Sequence, residues 1–232
     1  MLKSVMTFGY VKATFRRFFA TYRVFLLRIN VAEVGKKAPD AKILTLNGVE
    51  KNLINDYIDK TPNGMPLILN MGSYTWPPFA CSIDKLNKLI MKYCLPKTEK
   101  DANANANANA TARAQMLTIY IEEAHPVDEW RLAESKVEKE LLENNDSPIA
   151  MHQNINERLQ IANKFVKRKN LMCNVCVDSF DGDVLDRYQA WPERLYIIID
   201  GYVVYKGGVG PFHYDLDEVE AWLEERYSKS KK

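Results

Sequence analysis

The feature that most limits the fold of this chain is a nearly continuous apolar run, residues 67–71 (LILNM), that ends in a tight turn. Such a run is typical of a strand buried on both faces, as in the middle of a parallel sheet. The turn, residues 72–79 (GSYTWPPF), contains two prolines that suit a first helical turn, and apolar residues then recur at helical spacing from Ile83. Strand, turn and helix are therefore predicted in that order. Unpaired N–H groups at such a helix N-terminus favour a thiolate or selenolate.

The remaining pattern predicts an α/β thioredoxin-like fold with a central mixed sheet flanked by helices. A small hairpin around Asn47-Gly48 comes first, and a closing hairpin around Asp200-Gly201 follows Pro192. Further strands are predicted at 116–121 and 175–178, and helices at 128–145, 155–166 and 217–227. The first of these helices is highly charged and is expected to be solvated on most sides. The order β-α-β-α-β-β-α, with a parallel first half, is that of a thioredoxin fold.

Length and composition limit the class of protein. With 232 residues, 47% of them hydrophobic, the chain can form one packed domain. A formal net charge of only +2 argues against nucleic-acid binding. Four cysteines are too few for a disulfide scaffold, which favours a reducing compartment. We expect the domain to span 33–232, with a low-complexity surface insert at 97–115 that contains four consecutive Ala-Asn pairs.

The first 32 residues form a separate basic, aromatic-rich segment with six Lys or Arg and no Asp or Glu. Its most apolar stretch, 18–27, is interrupted by Arg23 and is shorter than the roughly 20 residues that a spanning helix needs. A basic amphipathic segment that lies on an anionic membrane surface is one expectation. An Arg-rich transit peptide, which would send the protein to the mitochondrion, is another, and a helix packed on the domain is the third.

Three blocks of sequence stand out in this order: 67–79 (LILNMGSYTWPPF), 119–125 (IYIEEAH) and 192–211 (PERLYIIIDGYVVYKGGVGP), with a weaker one at 152–162 (HQNINERLQIA). Together they resemble the iodothyronine deiodinases over most of the chain, from about Val34 to the C-terminus. The central motif of the family reads Asn-Phe-Gly-Ser-Cys-Thr-Sec-Pro-Pro-Phe, where Sec is selenocysteine. Asn70, Gly72, Ser73, Thr75, Pro77, Pro78 and Phe79 match it identically.

Two departures from this motif fall at its chemical centre. Tyr74 stands where the family has cysteine, and Trp76 stands where it has selenocysteine. Selenocysteine is encoded by UGA, which several genetic codes read as tryptophan. We therefore hypothesise that the residue written as Trp76 is selenocysteine in the native protein. The alternative is a true Trp76 that plugs the site of an inactive homologue, with Tyr74 packed beside it.

The resemblance implies a catalytic role for several residues. It implies reductive deiodination of an iodothyronine by a selenolate at position 76, with an external thiol as reductant and with no bound cofactor or metal. His125 and His152 are implied to bind the substrate and move protons, with Glu123 beside them and Ser73 and Thr75 in support. Imidazole suits this work because it titrates near neutral pH. The alternative for each histidine is a capping role or a place in the core.

Other residues have weaker assignments. The resemblance to thioredoxin folds implies a cis-proline at Pro192 facing the turn. Arg194 would then meet an anionic group of the substrate, or else lie at the surface paired with Glu193 or another carboxylate. Cys81 is a candidate resolving thiol, or else a small buried helix residue. Cys173 and Cys176 have redox or metal spacing, but on a strand they face opposite sides, which disfavours a dithiol or zinc half-site.

Two further functions stay open at this stage. A selenol or thiol in this turn could reduce peroxides, because the Ala38-Pro39-Asp40 entry also resembles peroxiredoxins, and the substrate could be another halogenated aromatic. With a true Trp76 the turn has no nucleophile, and the chain would be a catalytically inactive binding or scaffold protein tethered to a membrane through its N-terminus. Homodimerisation is an expectation that comes from the family alone.

Overall fold

Seven strands form one mixed sheet in the computed structural model, which describes residues 30–96 and 112–229. They are β1 Lys42–Thr45, β2 Glu50–Asn52, β3 Leu67–Gly72, β4 Gln115–Tyr120, β5 Asn174–Asp178, β6 Arg194–Ile199 and β7 Tyr202–Lys206. Their order across the sheet is β2-β1-β5-β4-β3-β6-β7. Strands β3, β4 and β5 run parallel, and β6 and β7 close the sheet as an antiparallel hairpin beside β3. The predicted thioredoxin-like arrangement is confirmed, with β3 buried along its whole length.

Helices connect the strands within the described ranges. They are α1 Pro77–Cys81, α2 Ile83–Tyr93, α3 Lys136–Glu143, α4 Ile155–Lys169, α5 Asp183–Arg187 and α6 Leu216–Lys229, with a π-helical turn at Ile54–Ile58. The start of α4 is capped by the Asn154 side chain, which accepts the Glu157 N–H at 3.0 Å, and that of α3 by Ser135. No described helix has the length and apolar composition needed to cross a membrane.

Alternate residues of β3 enter two separate cores, because successive side chains of a strand point to opposite faces. Leu67, Leu69 and Met71 pack in one core, and Ile68 packs in the other. The second core lies beneath the turn after β3, where Phe165 contacts three rings, with centroid separations of 5.1 Å to Tyr74, 5.5 Å to Phe79 and 5.7 Å to Tyr120. The functional turn therefore rests on an aromatic layer.

Gly72 lets the turn approach this layer. A Cβ atom at this position would lie 2.3 Å from a ring carbon of Phe79, far inside van der Waals contact. Because the contact is with an aromatic ring packed in the core, no side chain fits there without displacing Phe79. The glycine of the sequence motif is therefore required for packing.

The structure corrects some boundaries and one interpretation. Of the predicted 128–145 helix only Lys136–Glu143 is helical, and Val137, Glu138 and Leu141 are buried, so this segment packs on the domain and the expectation of a mostly solvated helix was wrong. Helix α5 was not predicted. Within the predicted insert 97–115, Ala114 is buried and Gln115 already belongs to β4, while residues 97–111 lie outside the described part.

The predicted N-terminal segment lies almost entirely outside the described residues, which begin at position 30. Ala32, its last residue, is fully buried and donates its N–H to the Arg187 carbonyl at 2.8 Å. The globular domain therefore includes at least this end of the segment.

We expect Phe165→Ala to lower the free energy of unfolding by about 3–5 kcal/mol, because it leaves a cavity among three packed rings. Phe212→Ala is the matched control, since Phe212 is 89% exposed and its removal should change stability by less than about 0.5 kcal/mol. Urea unfolding of the two variants measures the difference. Equal losses would contradict the described core.

Candidate functional site

Residue 76 lies where β3 passes into α1. Trp76 is the N-cap of α1 and accepts the Ala80 N–H through its carbonyl at 3.0 Å. The helix is only five residues long, and its first two are Pro77 and Pro78, which carry no N–H group. The helix terminus therefore offers an anion at position 76 fewer N–H donors than an ordinary first turn would.

The indole of Trp76 is part of an aromatic stack. It is 8% exposed and lies parallel to the His125 ring, with centroids 5.1 Å apart and planes at 19°. The other neighbour of His125 is Trp130, at 4.5 Å and edge-on, and Trp130 in turn stacks on Trp191 at 6.5 Å. Trp130 belongs to the charged stretch expected to be solvated, so its place beside the site was not predicted.

Glu123 joins the turn to the end of β4. Its Oε2 accepts the Thr75 N–H at 2.9 Å and the Thr75 hydroxyl at 2.6 Å, and its Oε1 accepts the Tyr120 hydroxyl. The Thr75 hydroxyl oxygen in turn accepts the backbone N–H of His125 at 3.0 Å. Burial raises the pKa of Glu123, although these hydrogen bonds oppose the shift. The carboxyl ends of β3 and β4 thus bring the predicted residues together, as expected for an α/β sheet.

His125 has a defined orientation. Its Nδ1 lies 2.7 Å from the Trp130 carbonyl, which can only accept, so Nδ1 carries the proton of the neutral ring and Nε2 keeps a free lone pair. Burial lowers the pKa of the ring, which keeps it neutral near pH 7. A neutral imidazole with a free Nε2 can accept a proton from a bound group or, once protonated, return it.

His152 lies on the other side of Glu123. Its Nε2 is 3.4 Å from Glu123 Oε1, but neither ring nitrogen makes an aligned hydrogen bond to the described residues. Burial, helped by the positive charge of Arg158, lowers the pKa of His152 to about 4. The raised pKa of Glu123 and the lowered pKa of His152 favour a neutral pair over an ion pair. The core alternative for His152 is weakened, because its nitrogens are unsatisfied.

The structure agrees with some of the predictions made for the supporting residues Ser73, Pro192 and Arg194, and disagrees with others. Ser73 is buried, and its hydroxyl has no partner among the described residues. The Trp191-Pro192 bond is cis, as predicted. Arg194 is buried and donates to the carbonyls of Gln189 and Gly207, so the alternative of a surface arginine paired with Glu193 was wrong, and its contact with substrate stays a prediction.

The four cysteines are free. Cys81 ends α1 and is exposed, so the alternative of a small buried residue was wrong, and its resolving role stays a prediction. Cys173 lies 3.3 Å from the Thr118 hydroxyl, and Cys176 lies 2.9 Å from the Tyr57 hydroxyl. No group of three or more His, Cys, Asp or Glu side chains within 30–96 and 112–229 is arranged to hold a metal.

Tyr74, at the position of the family cysteine, is a structural residue. It is fully buried, and its hydroxyl donates to Glu140 of α3 at 3.1 Å. Glu140 also contacts Lys169 at the end of α4 at 2.5 Å. The turn is thereby attached to two helices through one phenol.

Glu193 is a site residue that the sequence did not reveal. It follows the cis-proline, is fully buried and has no partner with hydrogen-bond geometry for either carboxyl oxygen among the described residues. The Trp76 indole lies close enough to act weakly on its pKa, which burial raises to about 8. One feature of the sequence indicated that Glu193 is buried, since this acidic residue lies between Pro192 and an apolar strand.

A small, partly open cleft adjoins the turn. Thr75 and His125 line one side, and residues of the 127–149 region, including Arg131 and Ile149, line the other. Arg131 is held by an ion pair with Glu138 at 2.6 Å. His125 is therefore reached from this cleft.

The chain resembles known proteins over most of its length. A family model described as iodothyronine deiodinase matches residues 10–227. A type I iodothyronine deiodinase of Xenopus laevis is 33% identical over 195 residues, 84% of this chain and 64% of that protein. A thyroxine 5-deiodinase of Bos taurus is 31% identical over 198 residues, 85% of this chain and 55% of that protein. The chain thus spans less than two thirds of the length of these relatives.

The fold resemblance extends to a solved structure. The crystal structure of a putative thiol:disulfide interchange protein DsbE from Chlorobium tepidum matches with a TM-score of 0.50 at 16% identity, covering 85% of this chain and 97% of that one. At this identity the match supports the thioredoxin-like fold alone.

We expect the ring protons of His152, followed by NMR, to titrate with a midpoint of about 4, against ~6.5 for an unperturbed histidine. Between these values the unfolded chain binds a proton that the folded chain does not, so stability is lost as the pH falls through this window. Relative to His152→Gln, the native chain should lose roughly 3 kcal/mol of unfolding free energy on going from pH 7 to below about 4. Parallel pH profiles of the two proteins in urea unfolding would contradict the neutral, buried His152.

Proposed function

Because the chain belongs to the iodothyronine deiodinase family, we propose that it removes iodide reductively from iodothyronines, or from related halogenated aromatics, with a selenolate at position 76. The observation that carries this proposal is the convergence at one point of the fold. Residue 76 stacks on His125, and the adjacent Thr75 is bonded to Glu123, which also contacts His152. His125 therefore contacts the side chain of residue 76 directly, and Glu123 and His152 are linked to it through Thr75.

The imperfect fit of the indole supports the hypothesis that residue 76 is natively selenocysteine. The indole Nε1 of Trp76 lies near the Glu193 carboxyl, yet neither group makes an aligned hydrogen bond within the described part of the chain. Buried polar groups in native proteins are nearly always paired with good geometry. A smaller residue at position 76 would leave this space to substrate or water.

The proposed reaction divides the work among these residues. The selenolate takes the iodine from the ring carbon as Se–I, and the electron pair left on carbon takes up a proton, so that C–I becomes C–H. A thiol then releases iodide and forms a selenenyl sulfide, and a second thiol restores the selenol and leaves as a disulfide. His125, with its free Nε2, and His152, beside Glu123, are the groups placed to bind the aromatic substrate and to move protons around it.

Glu123 acts as a positioning residue in this proposal. Its two bonds to Thr75 fix the backbone that carries residue 76, and its third bond fixes Tyr120 below. Thr75 also holds the His125 backbone, so one carboxyl sets the distance between the nucleophile and the imidazole.

The reductant and the cellular setting belong to the same proposal. An external thiol supplies the electrons, and the exposed Cys81 can meet it at the surface as a resolving thiol. The basic segment 1–32 would hold the catalytic domain at a membrane surface in a reducing compartment, with mitochondrial import as the alternative. Homodimerisation is proposed by analogy with the family.

We expect the full chain with selenocysteine at position 76 to release iodide from thyroxine in the presence of a dithiol, and the Trp76 chain to release none, because an indole has no thiolate or selenolate that can take iodine from a ring carbon. Iodide release in single-turnover conditions measures this. Equal activity of the two proteins would contradict the assigned nucleophile. Mass spectrometry of the native peptide that finds tryptophan at 76 would instead support the inactive binding protein, whose site the buried, stacked indole already fills.

We expect His125→Ala in the selenocysteine form to lower the deiodination rate at least ~100-fold, the lower range for loss of a proton-transfer group. His213→Ala is the matched control, since His213 is an exposed histidine outside the network. Circular dichroism and thermal melting test that both variants keep the fold. An unchanged rate for His125→Ala would mean that the ring is only a packing element.

A further inference from the structure

The cleft beside His125 is lined by groups of different character. Thr75 and His125, which line it on the side of the turn, are both buried, whereas the side chain of Arg131 is half-exposed. Much of the remaining wall is apolar and includes Val127, Val137, Leu141 and Ile149. A ligand that binds in such a cleft needs an apolar body and, towards solvent, a group that arginine can hold.

Arg131 is the permanent cation of this cleft. Of the described residues that line it, Arg131 alone is a lysine or arginine. Arg194, which was predicted to meet an anionic group, donates to backbone carbonyls instead, and so does the buried Arg158. An anionic group in the cleft would therefore meet Arg131.

Glu138 fixes the direction of the Arg131 guanidinium. Arg131 Nε donates to Glu138 Oε1 at 2.7 Å, and Arg131 Nη2 lies 2.6 Å from the same oxygen. The other oxygen of Glu138 accepts the Glu134 N–H at 2.7 Å. Guanidinium has five N–H donors, and these contacts occupy the edge formed by Nε and Nη2. The edge formed by Nη1 and Nη2 can still meet a carboxylate with two parallel hydrogen bonds.

The start of helix α3 lies at the same cleft. Ser135, the N-cap of α3, and Val137, in its first turn, both line the cleft. The first N–H groups of a helix have no intrahelical partner, and the helix dipole is positive at this end. The start of α3 therefore partly offsets the negative charge that Glu138 brings to the cleft.

We propose that Arg131, together with the start of α3, binds the carboxylate of the substrate, so that the site takes halogenated aromatic acids in preference to neutral halogenated phenols. This inference rests on the proposed function, since it concerns the substrate of the same site. The apolar wall contacts the body of the ligand while Arg131 holds its acidic group. Glu138 is a positioning residue, because it acts on the ligand through Arg131.

The test measures binding and needs no reaction. The full chain carrying Trp76→Ala, which has no group at position 76 that can attack iodine, is compared with the chain carrying Trp76→Ala and Arg131→Gln. Equilibrium dialysis gives the dissociation constants of thyroxine and of its methyl ester, which keeps the rings but has no carboxylate. We expect Arg131→Gln to weaken thyroxine binding at least ~10-fold, as for the loss of charge-assisted hydrogen bonds, and to leave ester binding unchanged.

Two further chains serve as controls. Trp76→Ala with Lys139→Gln removes an exposed positive charge of α3 that does not line the cleft, and should bind thyroxine like Trp76→Ala alone. Trp76→Ala with Arg131→Gln and Glu138→Gln removes the ion pair without changing the net charge, and should bind thyroxine as weakly as the Arg131→Gln chain. Thyroxine binding that recovers in this chain would mean that Glu138 merely repels the acid, which overturns the proposal.

The outcomes separate this inference from the proposed function. Circular dichroism tests that each chain is folded, and if Arg131→Gln does not fold, Trp76→Ala decides by itself, since equal affinity for thyroxine and its ester, or no binding of either, overturns the proposal. Iodide release by the selenocysteine form, with thyroxine binding that does not depend on Arg131, overturns this inference and leaves the proposed function intact. Arg131-dependent binding of thyroxine in a protein whose selenocysteine form releases no iodide supports the carboxylate site and rejects deiodination.

Discussion

The double hydrogen bond from Thr75 to Glu123 is the interaction on which the site depends. It ties the turn after β3 to the chain that leaves β4, two segments 48 residues apart in sequence. Because the carboxyl is wholly buried, breaking either bond would leave a polar group unsatisfied in the interior, which costs more than the bond itself contributes. The relative position of residue 76 and His125 is therefore set by a contact that resists deformation.

Several polar groups of the site are buried directly above the aromatic layer that supports the turn. Ser73, His152 and Glu193 are all buried with atoms that have no hydrogen-bond partner among the described residues. The aromatic layer of Phe79, Phe165 and Tyr120 below the turn supplies the packing that offsets this cost. Buried polar groups without hydrogen bonds lower the stability of the fold. They are typical of functional sites, where activity limits how stable the protein can be.

The sequence predicted the elements whose periodicity is strong. The buried strand at 67–71, the amphipathic helix from Ile155 and the closing hairpin were all found within a few residues of their predicted positions, because their apolar residues recur with the period of one structure. The resemblance also named His125 and Glu123, which follow β4 at the edge where β3 ends, and His152, which reaches Glu123 from the segment before α4.

What the sequence did not predict depends on tertiary contacts. Trp130 lies in a stretch so rich in charge that no pattern indicates burial, yet it packs on His125. Arg194 was expected to meet a charged group, but its guanidinium donates to backbone carbonyls. Every residue has a backbone carbonyl, so a sequence does not indicate which of them accepts such a bond. Glu193 is buried by Gly210 and by the indole at position 76, and neither contact is local.

Under the proposed function, Tyr74 determines which thiols can regenerate residue 76 after each reaction. A thiol two residues before the nucleophile could attack it within the same turn, but Tyr74 is buried and held by Glu140. Under the proposed function, residue 76 is then regenerated by a thiol from outside this turn: a free thiol in solution makes the step bimolecular, whereas the exposed Cys81 of the same chain makes it intramolecular. With a free thiol as the reductant, the steady-state rate would rise with the thiol concentration of the surroundings, so that the redox state of the compartment would help to set the output of the protein.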